Sequence, residues 1–119
     1  MANAADRDGI KRQSTRDKLQ RDQELADLRA VVATPAGGRV LWRLLGECRV
    51  FESIFDPTVR IYALAGRQDV GHWLMTELEQ ADDQAIFRLM VEARARQKRD
   101  DTERQAHEIA RAGEKDELT

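Results

Sequence analysis

The sequence is poor in the residue types that specialised chemistry requires. Its only cysteine is Cys48, so no disulfide can form within the chain, and a lone cysteine with apolar neighbours is typical of a core position in a reducing compartment. Two histidines, His72 and His107, are the only possible imidazole bases. Nowhere do about 18 uncharged apolar residues follow one another, and the N-terminal segment has no apolar stretch. We therefore expect neither a membrane span nor a signal peptide.

What the chain does contain is charge. Charged residues make up 35% of its 119 residues, and 20 Lys and Arg are set against 22 Asp and Glu, which gives a net charge of −2. This balance does not favour bulk attraction to nucleic acid, so any DNA contact has to be local. The length leaves room for one domain, and the high charge resembles that of long, exposed helices.

Four segments have the apolar spacing of amphipathic helices. The first spans about 18–33 and ends at Thr34-Pro35, because proline disfavours the helical conformation in the residue before it. The same pair starts the second helix, with Thr34 as the cap and Pro35 in the first helical position. The second helix is the clearest core element, with an apolar stripe formed by Val40, Leu41, Leu44, Leu45 and Cys48.

A short apolar loop, 49–55, leads into a third helix over about 57–80 that contains Gly66 and Gly71. An interior glycine costs roughly 1 kcal/mol against alanine, so we expect another backbone to approach closely at these two positions. Asp82 or Asp83 caps a fourth helix, whose apolar stripe ends at Ala93.

The ends of the chain lack a face to bury. Residues 1–17 form a polar N-terminal arm that we expect to be disordered alone, and 94–119 form a charged C-terminal arm that has helix-forming residues. The sequence thus predicts an all-α fold, a small bundle of about four helices over 18–93 with two polar arms. A core of this size is marginal, so partners would stabilise it.

The search for catalytic, metal and cofactor sites yields no credible set of residues. No CxxC, HExxH, GxxxxGK or carboxylate-rich loop is present. Asp69 and His72 are three residues apart on the third helix, but Trp73 and Leu74 beside them favour a helix-packing position. We therefore expect no catalytic residues, no metal, no cofactor and no small-molecule substrate.

The candidate functional residues are instead those suited to contact with partners. Aromatic and aliphatic side chains suggest an interface at Trp42, Val50, Phe51, Ile54 and Phe55, although Trp42 suits a core position equally well. Arg39, Arg43 and Arg49 could contact phosphates or an acidic partner, although a solvated helix face balanced by nearby acidic residues is the favoured interpretation. The second helix has no Asn, Gln, Ser or Thr to contact base edges, which counts against sequence-specific DNA binding.

Three stretches of sequence carry a resemblance to a known family: 33–45 (ATPAGGRVLWRLL), 48–51 (CRVF) and 66–71 (GRQDVG). They resemble a family of small virion structural proteins of short-tailed phages, of the kind described in a Bordetella phage. The resemblance covers about 24–92, and both polar arms lie outside it.

The resemblance implies a component of the phage particle and no enzyme. The layout is similar to that of the ring-forming head-to-tail adaptors beneath a phage portal, whose arms order by wrapping neighbours. The expected protein is thus a connector subunit in a homo-oligomeric ring that contacts portal or tail proteins, made in the host cytoplasm and carried in the virion, with at most incidental DNA contact. An internal or ejected virion protein, and a small helical DNA-binding or regulatory module, remain the alternatives.

Overall fold

The computed structural model describes residues 4–118, which form four α-helices and no strand. The helices are α1 (Ala4–Ala33), α2 (Pro35–Glu47), α3 (Arg60–Ala81) and α4 (Ala85–Leu118). The all-α prediction is confirmed. Residues 1–3 and 119, at the ends of the two predicted arms, lie outside the described residues.

The molecule is elongated, and this differs from the predicted compact bundle. Its principal extents are 94 × 39 × 17 Å and its radius of gyration is 23.4 Å, whereas a compact domain of this length has a radius of gyration of about 14 Å. The cause is that α1 and α4 run on well past the core. Residues 4–20 of α1 are exposed on all sides, and so is nearly all of α4 beyond residue 96.

The N-terminal arm is therefore helical where we expected disorder. A helix needs burial mainly to offset its costly nucleus, and once the packed half of α1 has formed, each further turn only has to propagate. The residues of the exposed half of α1 also make contacts between successive turns. Gln13 contacts Asp17 at 3.0 Å, and Thr15 donates to the Lys11 carbonyl at 2.9 Å. The C-terminal arm propagates from α4 in the same way.

The core lies where α2 crosses the packed ends of the other three helices. Three large side chains are almost completely buried there: Leu45, Leu78 and Leu89. The rest of the buried cluster is formed by Val32, Leu41, Cys48, Val50 and Ala85. The apolar stripe of α2 is thus confirmed only along one edge, because Val40 is 54% exposed and Leu44 is 47% exposed.

The junction between α1 and α2 has the predicted capping geometry. Thr34 is extended, with φ −82° and ψ 144°, and Pro35 occupies the first helical position. The Thr34 hydroxyl accepts a hydrogen bond from the Gly37 amide at 3.0 Å. This bond satisfies one of the amide groups left free at the start of α2.

The end of α2 is a Schellman motif with an arginine where glycine is usual. Arg49 has φ 54°, and its amide donates to the Gly46 carbonyl at 3.0 Å while the Val50 amide donates to the Leu45 carbonyl at 3.4 Å. These are the two bonds that define the motif, and the accompanying apolar contact joins the residues at the Val50 and Leu45 positions. Both of those side chains are buried, which explains why Val50 belongs to the core.

We expect Arg49→Gly to stabilise the folded chain by about 1 kcal/mol, because the left-handed conformation costs a non-glycine residue roughly 1–2 kcal/mol. The substitution removes only an exposed ion pair with Glu52 at 3.8 Å, and such pairs contribute little. Urea unfolding of the two proteins measures the difference. A lower midpoint for the glycine variant would contradict the assigned conformation.

The two glycines within α3 have different surroundings. A methyl group at Gly71 would collide with Val50 Cγ1 and lie 2.5 Å from Cys48 Cβ. Another segment does approach closely at this position, where the chain after α2 crosses α3, but the atoms nearest to Gly71 belong to the side chains of Val50 and Cys48 and not to the backbone. At Gly66, no atom lies within 4 Å of the position a Cβ would take, so the same prediction is wrong there.

Polar contacts fix α1 and α4 to the C-terminal end of α3. Arg21 binds Glu77 through two bonds of 2.6 and 2.8 Å, and also reaches the Gln80 side chain. Asp82 accepts from the Gln84 amide at 3.0 Å and pairs with Arg88 at 3.0 Å, which confirms the predicted capping role of Asp82. These contacts hold α1 and α4 beside α3.

Three carboxylates, Glu77 and Asp82 in these junctions and Asp56 before α3, have a lowered pKa. The hydrogen bond from Arg21 lowers the pKa of Glu77, the Gln84 amide and then Arg88 lower that of Asp82, and the Thr58 hydroxyl lowers that of Asp56. A carboxyl with a lowered folded-state pKa stabilises the fold above its ordinary value. That contribution is lost as the pH falls through the lowered value.

We therefore expect Glu77→Gln to reduce the loss of stability that accompanies acidification from pH 7 to below the ordinary glutamate pKa of about 4.5. Chemical denaturation at a series of pH values measures this loss. Glu79→Gln, an exposed change on the same helix, serves as the control and should keep the wild-type profile. If Glu77→Gln also keeps it, the Arg21–Glu77 pair does not carry the acid sensitivity.

Candidate interaction surfaces

The predicted interface residues fall partly in the core and partly on the surface. Trp42 is half-buried and packs against the core, and its ring lies 5.6 Å from that of Phe51 at a tilt of 33°. Phe51 is 51% exposed. Trp42 thus packs between the core and Phe51, and the exposed ring of Phe51 is available to a partner.

The other predicted interface residues divide in the same way. Val50 is only 8% exposed, so the structure corrects its assignment from the interface to the core. Ile54 is half-buried, whereas Phe55 is 83% exposed. The turn itself is held against α3, because Gln68 donates to the carbonyls of Arg49 and Glu52 at 2.8 Å each. The predicted ordered loop is therefore found, with Phe51 and Phe55 as its exposed side chains.

A larger apolar surface, which was not predicted from the sequence, lies on α3. We define the α3 face as the outward-facing row of Val59, Tyr62, Gly66, Val70 and Trp73. These residues are three or four positions apart, so they share one side of the helix. The four side chains are 59–82% exposed, and the row has an opening at Gly66. This side lies opposite the one on which Leu64, Gly71 and Leu78 are buried.

A second apolar surface lies on the outer side of α4. We define the α4 face as Phe87, Met90 and Val91, which are 65%, 41% and 50% exposed. The core-facing side of the same helix carries Ala85 and Leu89. Both faces could have been noticed in the sequence, because each of these two helices has apolar residues on more sides than one core can cover.

The predicted arginines do not form one cluster. Arg39 and Arg43 lie together beside Ala36 and Val40 in a shallow cleft. Arg49 lies beyond the far end of α2 and pairs with Glu52. This placement does not support the prediction that Arg49 binds an anion together with Arg39 and Arg43.

Arg39 instead joins arginines of α4 in an open groove of about 320 Å³. We call it the arginine groove, and its lining is formed by Val32, Ala33, Thr34, Pro35, Arg39, Arg88, Glu92, Ala95, Arg96 and Arg99. Arg96 and Arg99 are three residues apart on α4, and their placement beside Arg39 depends on how α4 packs on α2. Arg88 pairs with Asp82, so the guanidinium groups of Arg39, Arg96 and Arg99 are those that can bind an acceptor.

The remaining candidates for chemistry do not assemble. His72 Nε2 lies 3.2 Å from the Val50 carbonyl, which assigns this side chain to holding the turn against α3. Within residues 4–118, no group of three or more His, Cys, Asp or Glu side chains is placed to hold a metal ion. No helix in this part of the chain is both long and apolar enough to cross a membrane.

The decisive comparison is with protein families. The model of the Bbp19-like phage protein family matches residues 28–92, which is more than half of the 119-residue chain. The chain belongs to this family. The resemblance seen in the sequence is confirmed. No curated protein and no solved structure matches the chain.

The part of the chain that is shared with the Bbp19-like family contains most of the surfaces described above. Residues 28–92 include the core, the α3 face, the α4 face and Arg39. Arg96, Arg99 and most of the two projecting helical segments lie outside the match. The apolar faces therefore belong to the family region, whereas the arginine groove is completed by residues beyond it.

Proposed function

We propose that this Bbp19-like phage protein is a structural subunit of the virion, a connector in a homo-oligomeric ring that joins head to tail near the portal. Its role is to assemble with neighbours, and it catalyses no reaction. Family membership supports a role in a phage. The finer assignment rests on the surface that the chain leaves exposed.

The single observation that carries the proposal is the exposed area. The chain exposes 9662 Å², whereas a compact monomer of 13.6 kDa exposes about 6600 Å². The excess of about 3000 Å² is of the size that two extensive protein interfaces bury. A subunit that contacts a neighbour on each side, and other virion proteins through its projecting helices, accounts for an area of this size.

The form of the projecting segments fits the same role. Residues 97–118 continue α4 for about 33 Å at 1.5 Å per residue, and 4–20 of α1 project similarly. Such segments reach past the subunit that carries them. In an assembled particle they would lie along neighbouring subunits or along portal and tail proteins.

The experiment that tests the proposal is mass analysis of purified, DNA-filled particles together with native mass spectrometry of the isolated protein. A fixed copy number, retained after genome release and matched by a closed oligomer in solution, is the expected result. Loss from emptied particles would instead indicate an internal or ejected protein. Absence from particles would overturn the virion assignment.

The arginine groove favours one second candidate, a protein that contacts DNA phosphates inside the particle or the host cell. Salt discriminates the two, because phosphate-driven affinity falls steeply between about 50 and 200 mM while apolar contacts change little. Glu92 in the groove and the net charge of −2 count against this candidate.

A further inference from the structure

We infer that the α3 face of one copy binds the α4 face of the next copy, and that this single contact, repeated, closes the ring. The inference rests on the proposed function and names the two surfaces that would carry it. It is drawn from three features of the described residues: the number of faces, their shapes and the charges beside them.

The first feature is that the chain has two separate apolar faces on different helices. Each lies on the side of its helix that is turned away from the core, so the chain cannot cover either face with the other. A contact in which one surface of a copy binds a different surface of the next copy is called heterologous. Such a contact repeats around a ring if the rotation between neighbouring copies closes. A single self-matching face would give only a two-fold dimer.

The second feature is a match of shape. The α3 face has an opening at Gly66 between Tyr62 and Val70, with no atom within 4 Å of the position of a Cβ. Phe87 is the largest side chain of the α4 face and is 65% exposed. An aromatic side chain on one helix fits between larger residues on another, as in knobs-into-holes packing.

The third feature is a pair of opposite charges at the edges of the two faces. Asp69 lies one turn from both Gly66 and Trp73, at the edge of the α3 face, and Arg94 lies one turn beyond Met90 and Val91. Both are exposed, and neither forms an ion pair within residues 4–118. An arginine side chain leans towards the N-terminus of its own helix, so Arg94 can reach back towards a carboxylate beside Phe87.

The test uses one disrupted face per variant. Val70→Asp alters the α3 face and Phe87→Asp alters the α4 face, and we expect each to weaken assembly at least about 30-fold, as the loss of a hot-spot side chain does. Val40→Asp, at an exposed apolar position on α2 that belongs to neither face, is the matched control and should leave assembly unchanged. Circular dichroism checks that all three variants keep the helical content of the wild type.

Mixing the two face variants is the decisive step. If the contact is heterologous, each variant still has one intact face, so an equal mixture forms a heterodimer that cannot grow further. Sedimentation velocity would detect it. A mixture that remains monomeric, or a Phe87→Asp variant that assembles like the wild type, would overturn the pairing of these two faces.

Two further variants test shape and charge separately. Gly66→Leu fills the opening and should weaken assembly while the helix remains folded. Asp69→Arg and Arg94→Asp should each weaken assembly, and the double variant should restore it because the pair is only reversed. Failure of the double variant to recover would remove the ion pair from the proposal.

The inference and the proposed function can fail independently. A wild-type chain that stays monomeric in solution, yet is present in particles at fixed copy number, would overturn the pairing of faces and leave the virion role standing. A chain that assembles through these two faces but is absent from particles would support the pairing of faces and overturn the virion role.

Discussion

Gly71→Ala is expected to lower the free energy of unfolding by about 1–2 kcal/mol, even though alanine is the better helix former. The added methyl group meets Val50 Cγ1 and Cys48 Cβ, and neither atom is at the end of a flexible side chain. Crowding of this kind costs typically 1–3 kcal/mol, which outweighs the gain of up to about 1 kcal/mol in helix propensity. Urea unfolding followed by circular dichroism measures the net effect.

The matched control is the same substitution at Gly46 in α2, where no atom lies within 4 Å of the added methyl group. Gly46→Ala should stabilise the chain by up to about 1 kcal/mol. The two substitutions are chemically identical and opposite in expected sign. If both proved stabilising, the turn after α2 would not lie against α3 as the structure places it.

Signals in the sequence predicted the helix boundaries where a local rule determines them. Thr34-Pro35 gives both the end of α1 and the cap of α2, because a proline restricts the residue before it and suits the first helical position. Asp82 is the same kind of signal at the start of α4. The buried edge of α2, formed by Leu41, Leu45 and Cys48, followed from spacing alone.

The end of α2 shows where such signals fail. A Schellman motif normally has glycine in its left-handed position, whereas here Arg49 occupies that position. Without that cue, the sequence predicts a loop and an interface position for Val50. The remaining signal was the five-residue spacing of Leu45 and Val50, which places two apolar residues in contact across the motif.

The lengths of α1 and α4 could not be predicted from burial. The sequence predicts that both arms bury almost no apolar surface, and this is correct for residues 4–17 and 94–117. Their helicity comes from propagation and from contacts between turns, which are independent of burial. The arginine groove could not be predicted from the sequence for another reason. Arg39 and Arg96 are brought together only by the packing of α2 on α4.

The small core has an energetic consequence for assembly. In the part of the chain that the structure describes, only three large side chains are almost completely buried, and an isolated domain with so few is marginally stable. Any contact that the folded state makes and the unfolded state cannot make adds to stability by mass action. The stability of the folded chain should therefore depend on protein concentration if neighbours cover the exposed faces.

Leu45→Ala tests this dependence through the centre of the core. Leu45 has no exposed area, and truncation of a fully buried leucine costs about 2–5 kcal/mol, through lost burial and the cavity left behind. We expect the isolated variant to unfold at a much lower urea concentration than the wild type. Leu19→Ala, at a position that is 64% exposed on α1, removes the same atoms and should change stability by less than about 0.5 kcal/mol.

The concentration series distinguishes a weak monomer from a subunit completed by its neighbours. Since assembly stabilises only the folded state, raising the protein concentration should recover part of the stability that Leu45→Ala loses. The recovery should disappear when Phe87→Asp is added, because that change is on the surface and affects the core only through assembly. A midpoint for Leu45→Ala that is independent of concentration would show that the fold is stabilised without the contact between copies.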